Sequence, residues 1–174
     1  MFLPDVLAED LVVVFCGSDV GDPSAKAEAY YAGRNNRFWS TLFRTHLTSH
    51  LLRPAQYALV LAHDIGLMDL VRQRSGMDAE LSDDDYDIPG FKRKIAENSP
   101  SIVAFNGKET ARRVLGRKSV TYGRQDGTIA NATVYVLPST SKEAHRFWNE
   151  RFWLELSDEV RKLRRGWKEA SHST

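Results

Sequence analysis

The stretch Leu11-Val12-Val13-Val14-Phe15-Cys16, followed by Gly17-Ser18-Asp19-Val20-Gly21, decides the fold of this chain. An unbroken, valine-rich apolar run predicts a strand buried on both faces, as in a parallel sheet. The glycines at the two ends of the turn let the backbone bend sharply and approach a ligand closely. Asp19 then lies at the carboxyl end of a strand, where open α/β sheets bind ligands, and is a candidate catalytic base. A strand-end acid can instead cap the segment that follows it.

Strands and helices alternate along the rest of the chain. Apolar runs predict strands at about residues 11–16, 58–62, 102–106 and 132–138, and amphipathic patterns predict helices at about 35–47, 85–98, 107–115 and 143–165. Such alternation is typical of a parallel sheet that is covered by helices on both faces and connected by right-handed crossovers.

Composition indicates one globular domain that spans residues 1–174. The chain has 174 residues, 42% of them hydrophobic, which is enough to build a core without disulfides or metals. Its one cysteine, Cys16, falls in the first strand, so we expect it to be buried rather than reactive. No apolar stretch approaches the roughly 18 residues that cross a bilayer. We therefore expect a soluble, cytoplasmic protein that does not bind membranes.

Charge is unevenly distributed although the formal net charge is only +1. Residues 78–87 hold six acids and no base, whereas residues 108–124 hold six bases and one acid. This pattern predicts a polarised molecule, with the acidic connection facing away from a nucleic acid and the basic segment near it.

Four more motifs follow the first turn in order: Gly33-Arg34-Asn35-Asn36-Arg37-Phe38-Trp39, Ile65-Gly66-Leu67-Met68-Asp69-Leu70-Val71, Val103-Ala104-Phe105-Asn106-Gly107-Lys108 and Val136-Leu137-Pro138-Ser139-Thr140-Ser141. In this order and spacing, over roughly residues 3 to 165, the chain resembles the uracil-DNA glycosylase superfamily. The resemblance is closest to its mismatch-specific uracil and thymine-DNA glycosylase branch. It implies a three-layer α/β sandwich with a short, mostly parallel four-stranded sheet flanked by helices.

The resemblance implies an enzyme that flips uracil out of DNA and hydrolyses its N-glycosidic bond. The resembled branch has an asparagine in the first motif that orients the hydrolytic water, and this chain has Asp19 there. The highly active uracil-specific branch carries an aspartate at that position. An ionised carboxylate can both stabilise an oxocarbenium-like sugar and accept a hydrogen bond from the attacking water. We expect no metal and no cofactor, since the five histidines make no ligand cluster with cysteine or carboxylates.

The resemblance also implies a pocket for the flipped base. Backbone N–H groups around Gly17, Ser18 and Val20 would face the base oxygens, and Tyr31 stands where the branch has its stacking aromatic. Tyr30 is the alternative if the register differs by one residue, and core packing is the alternative for both. Two further base-binding candidates are Asn36, which can also cap the next helix, and Asp69. Asp69 replaces a base-reading asparagine of thymine-DNA glycosylases, and it can instead cap the segment after its strand.

The motif after the last predicted strand concerns DNA. The hydroxyls and N–H groups of Ser139, Thr140 and Ser141 can bind phosphates, and they can equally cap the following helix. Lys108 is a candidate phosphate contact or a solvated lysine. Glu143 replaces the arginine with which thymine-DNA glycosylases of the resembled branch wedge the duplex open. The residue that fills the gap left by the base is therefore to be sought among Lys142, His145 and Arg146.

The sequence thus predicts a monofunctional DNA repair glycosylase that leaves an abasic site, since no matched motif positions a lysine for a Schiff base. We expect a monomer that binds uracil-containing DNA and, in a bacterium, is associated with the nucleoid. Two alternatives are a non-catalytic nucleic-acid-binding module of the same fold and an N-glycosidase of small nucleosides. Neither a G-x-G-x-x-G nor a P-loop motif occurs, which disfavours dinucleotide and nucleotide enzymes.

Overall fold

The structure of the chain, a computed structural model, describes residues 3–17, 28–71 and 85–172. Its centre is a sheet in the order β2-β1-β3-β5-β4, with four parallel strands and an antiparallel β4 at one edge. The strands are β1 Val13–Gly17, β2 Ile65–Asp69, β3 Ile102–Asn106, β4 Gly123–Ile129 and β5 Ala132–Leu137. The predicted class, an α/β fold with a short, mostly parallel sheet between helices, is confirmed.

Helices cover both faces of this sheet. The α-helices are α1 Phe38–Arg44, α2 Ile88–Asn98, α3 Lys108–Leu115 and α4 Glu150–His172, and 3₁₀ helices run over Pro54–His63 and Lys142–Phe147. The helices α1 and α4 share one buried cluster with the sheet, and α2 and α3 share the other. The sheet is therefore the middle of three layers.

The first strand supplies both of these clusters. Every residue of β1 is buried, and successive side chains point to opposite faces. Phe15 packs among the rings of Phe38 and Trp153 on one face, while Val14 and Cys16 face α2 and α3 on the other. This explains why the sequence has a continuous apolar run here instead of an alternating one, and it confirms that Cys16 is buried.

The second strand was predicted in the wrong place. Residues 58–62 lie in the 3₁₀ helix Pro54–His63, where Val60 alone is buried, and β2 begins only at Ile65. β2 reads Ile-Gly-Leu-Met-Asp, and its glycine permits a close approach of another backbone segment. A methyl group on Gly66 would lie 2.7 Å from the carbonyl oxygen of Val6, which pairs with Leu67 across an isolated bridge.

The sheet has five strands and not the predicted four. The prediction missed β4 because this strand carries mostly polar side chains. An antiparallel edge strand needs only one buried face, so its sequence lacks the apolar run that marks β1. Ala130 and Asn131 join β4 to β5 with positive φ angles of 46° and 70°, the signature of a two-residue hairpin turn.

The basic segment does not lie opposite the described end of the acidic run. The Arg113 guanidinium lies 4.1 Å from the centroid of the Tyr86 ring, because Tyr86 packs with α3 in one cluster. The two segments therefore touch at Tyr86, and four of the six acids of the run lie outside the described residues, so the polarised arrangement stays a prediction. The last helix also extends past its predicted end at 165, to His172.

Within the described ranges, no helix combines the length and apolar character needed to cross a membrane.

Candidate active site

Four strands end at the same edge of the sheet. Because β1, β2, β3 and β5 are parallel, their last residues, Gly17, Asp69, Asn106 and Leu137, come together there. Gly17 pairs with Asp69, and Asn106 pairs with Leu137. Four of the five sequence motifs therefore meet at the edge where α/β folds bind ligands.

Two polar side chains converge on the end of β1. A methyl group built on Gly17 would lie 2.9 Å from Oδ1 of Asp69 and 3.1 Å from the hydroxyl oxygen of Tyr31. Asp69 is only 6% exposed although it carries a carboxyl group. Asp69 and Tyr31, 38 positions apart in the sequence, thus share one small volume that only a glycine at position 17 leaves open.

Tyr31 is held with its hydroxyl end inside this volume. Its ring stacks on Phe38 at 4.0 Å between centroids, and its backbone adopts a positive φ of 52°, which is uncommon for a residue other than glycine. Burial, and then the negative field of Asp69, raise the pKa of the Tyr31 phenol well above its ordinary value. The phenol therefore remains protonated at neutral pH and can donate a hydrogen bond.

Tyr30, the alternative candidate, is part of the core. The Tyr30 side chain is buried, and its hydroxyl donates to the carbonyl of Pro4 at 3.0 Å. Its own carbonyl accepts from the indole of Trp39. Of the two registers considered, the structure brings Tyr31 to the strand edge and leaves Tyr30 in the core.

Asn36 caps the helix that follows it. Its Oδ1 accepts from the backbone N–H of Phe38, the first residue of α1, at 3.0 Å. The backbone N–H of Arg37, the residue between Asn36 and Phe38, donates to the carbonyl of Thr140 at 2.9 Å. The start of α1 is therefore attached to the loop after β5, and both lie beside the strand ends.

The loop after β5 is held in place by hydrogen bonds to buried side chains. Thr140 is 1% exposed, and Asn106 binds it twice, by accepting from its backbone N–H at 3.0 Å and donating to its hydroxyl at 2.9 Å. The indole of Trp153 donates to the carbonyl of Pro138. The predicted phosphate contact through the Thr140 hydroxyl is not available in this arrangement, because that hydroxyl points into the protein.

The other polar groups of this loop lie nearer the surface. Ser139 and Ser141 are half-buried and hydrogen-bonded to each other, hydroxyl to hydroxyl at 3.1 Å. Gly107 turns beside them with a φ of 113°, and α3 starts at the next residue. The ammonium of Lys108 lies 4.3 Å from the centroid of the Tyr122 ring, so in this structure it packs on an aromatic face.

The 3₁₀ helix Lys142–Phe147 contains no buried residue. The predicted DNA contacts Lys142, His145 and Arg146 are all exposed on it. Sequence reasoning did not single out Phe147, which is 57% exposed with the Arg146 guanidinium 4.9 Å from its ring centroid. The available signal was an aromatic residue inside a basic stretch, but its spacing also suits a buried helix position.

The predicted catalytic residue Asp19, with Ser18 and Val20, lies outside the described residues. Among the residues that are described, no three His, Cys, Asp or Glu side chains come close enough together to hold a metal ion.

Comparisons with known proteins agree with this architecture. The model of the family described as the Uracil DNA glycosylase superfamily matches residues 4–158. A similar solved structure is that of a candidate uracil DNA glycosylase from Methanosarcina acetivorans, determined by NMR in solution. Its TM-score is 0.59 at 24% sequence identity, over 93% of this chain and 96% of that chain. At that identity the likeness shows a shared fold.

Proposed function

The chain belongs to the uracil DNA glycosylase superfamily, and from this membership we propose that it is a monofunctional uracil-DNA glycosylase. Membership itself supports a glycosylase-type function with DNA as the substrate. The finer proposal is that the protein flips uracil out of DNA, hydrolyses its N-glycosidic bond and leaves an abasic site.

The observation that carries the proposal is the convergence of Asp69 and Tyr31 on Gly17. These groups provide a buried acceptor and a buried donor at the end of the strand from which the Asp19 turn starts. Two peptide units join Asp19 to Gly17, so their Cα atoms are within about 8 Å of each other. A polar, water-poor site with several converging hydrogen-bonding groups is what recognition of a flipped base requires.

We assign the chemistry to Asp19. When the bond between C1′ and the base nitrogen breaks, its electron pair leaves with the base and the sugar becomes positively charged. An ionised Asp19 would stabilise that charge and accept a proton from the water whose oxygen bonds to C1′. Backbone N–H groups of Gly17, Ser18 and Val20 would stabilise the departing base.

Recognition of the base is assigned to the neighbouring side chains. The Tyr31 ring has Phe38 on one face, which fits it to hold a base on its other face. Asp69 would contact the polar edge of uracil, and Asn36 would line the pocket while it caps α1. Asp69 ends β2, and Tyr31 and Asn36 lie in the segment that leads into α1.

DNA binding is assigned to the neighbouring surface. The hydroxyls of Ser139 and Ser141, which lie nearer the surface than that of Thr140, would bind phosphates on either side of the flipped nucleotide. Lys108 would have to leave the Tyr122 ring to join them. Lys142, His145 and Arg146, which are exposed on the 3₁₀ helix, would lie along the strand, and one of the three would fill the gap left by the base.

One incubation tests the proposal. Purified protein is mixed with an end-labelled oligonucleotide that contains one uracil, then treated with alkali, which cleaves abasic sites. A thymine-containing oligonucleotide and free deoxyuridine are run in parallel. We expect cleavage of the uracil strand only after alkali. Cleavage without alkali would contradict the monofunctional assignment, and release from deoxyuridine alone would indicate a nucleoside hydrolase. An intact uracil strand after alkali, with a mobility shift of that strand on a native gel, would indicate a non-catalytic module.

A further inference from the structure

Phe147 is the most exposed phenylalanine among the described residues. It is 57% exposed and is the last residue of the 3₁₀ helix Lys142–Phe147, three residues before α4 begins at Glu150. Single exposed apolar residues are common on protein surfaces, so exposure alone does not mark a site. What distinguishes Phe147 is its surroundings.

The ring lies beside a positive charge on a helix that carries further basic residues. The Arg146 guanidinium lies 4.9 Å from the Phe147 centroid, and the same short helix carries Lys142 and His145 on its exposed surface. Glu143 is its one acid. An aromatic face beside basic side chains complements a nucleic acid strand, since bases stack on the ring and phosphates attract the positive charges.

The backbone under this ring is firmly attached to the protein. The next residue, Trp148, is half-buried, with the Arg37 guanidinium 5.3 Å above its ring and Trp153 packed against it at 6.1 Å. Its N–H donates to the carbonyl of His145. Because its neighbour in sequence packs against the core, the backbone at Phe147 is held in place while the ring itself faces solvent.

We propose that Phe147, together with Arg146, is a stacking platform for an unpaired base of single-stranded DNA next to the flipped nucleotide. The inference rests on the proposed function and names the form of DNA that the protein binds. Bases in an intact duplex are stacked on each other and present only their edges, whereas a single strand offers base faces to an aromatic side chain. The platform therefore favours single-stranded DNA over paired DNA.

The test measures binding to uracil-free oligonucleotides, so it does not depend on excision. Fluorescence anisotropy gives the Kd of a labelled single strand and of the matching duplex for the wild type and for Phe147→Ala. Loss of one base-stacking contact should weaken single-strand binding by about tenfold or more, with a smaller change on the duplex. Phe147→Trp should restore wild-type affinity, because an indole also stacks.

The matched control is Phe43→Ala. Phe43 is 42% exposed on α1, and its neighbour Arg44 is paired with Glu150 and not with an aromatic ring. This variant should bind both DNAs as the wild type does. The salt dependence gives a second control, because Phe147→Ala removes no charge and should leave the slope unchanged, while Arg146→Ala should reduce it by about 0.7 on single strands.

Wild-type single-strand affinity in Phe147→Ala would overturn the inference, and so would equal losses on single strand and duplex. Loss of self-association in that variant, with unchanged DNA affinity, would assign the ring to a second copy of this chain. If Phe147-dependent binding is found but uracil is not released, the platform stands and the proposed function fails. If uracil is released and binding is independent of Phe147, only the platform fails.

Discussion

The two parts of the candidate site, the ends of β1 and β2 and the 3₁₀ helix Lys142–Phe147, differ in how deeply they are buried. At the ends of β1 and β2, Asp69 and the hydroxyl of Tyr31 are buried and meet over a glycine. Along the 3₁₀ helix Lys142–Phe147, by contrast, no residue is buried. Changes in the first part should therefore alter geometry and chemistry together, while changes in the second should alter DNA binding and leave folding intact.

The largest effect is expected on the excision rate, from a change at Asp19, two residues after the end of β1. Asp19→Ala should lower the single-turnover excision rate about 100-fold or more, since removal of a preorganised stabilising group typically costs at least about 2.7 kcal/mol. Asp19→Asn should retain part of the activity. The control is Asp126→Ala, which removes an exposed acid on β4. Wild-type excision by Asp19→Ala, measured by quench-flow or by gel, would refute the central assignment.

The second effect tests how tightly the buried part is packed. Gly17→Ala would push a methyl group to within 2.9 Å of Asp69 Oδ1, so one of the two converging side chains has to move. Overpacking of this kind costs about 1–3 kcal/mol, and we expect an excision rate reduced by about tenfold or more. Gly127→Ala is the matched control, because no heavy atom lies within 4 Å of its added methyl. Equal activity of the two variants would mean that the convergence over Gly17 is irrelevant to the reaction.

A third effect concerns stability and tests the hydrogen bonds between Asn106 and Thr140 that hold the loop after β5. Asn106→Ala removes both hydrogen bonds to Thr140 and leaves buried partners unsatisfied, so the free energy of unfolding should fall by about 2–3 kcal/mol. Thr140→Val removes the hydroxyl alone and should cost about 1 kcal/mol. Urea denaturation of the single and double variants measures the coupling. Strictly additive losses would show that the two side chains do not stabilise each other.

The smallest effect concerns substrate form. The resemblance to thymine-DNA glycosylases puts Glu143 in the place of their arginine wedge, and on this hypothesis the DNA itself supplies more of the unstacking. Uracil in single strands or opposite guanine should be released faster than uracil opposite adenine, and Glu143→Arg should narrow that difference by a few-fold. Relative kcat/KM values on the three substrates measure it. A preference that does not respond to Glu143→Arg would exclude this position as its cause.

The strands show what a sequence can predict and where it fails. A buried parallel strand needs apolar side chains on both faces, so β1, β3 and β5 were visible as apolar runs. The run at 58–62 looked the same but lies in a 3₁₀ helix with Leu59 51% exposed. The true β2 contains Gly66 because Val6 approaches it closely, and a contact between residues 60 positions apart leaves no local pattern.

The candidate site likewise has features that local sequence predicts and features that depend on distant contacts. By itself, the sequence determined the family, the order of the motifs and the residue types at the strand ends, because these depend on short segments and on the direction of parallel strands. Only the tertiary structure decided that Tyr31 and not Tyr30 reaches the edge, that the Thr140 hydroxyl binds Asn106 and that Phe147 faces solvent. Tyr31 and Thr140 are directed by contacts with residues distant in the sequence, and Phe147 is exposed because its neighbour Trp148 packs against the core instead. These contacts exist only once the sheet and its helices have come together.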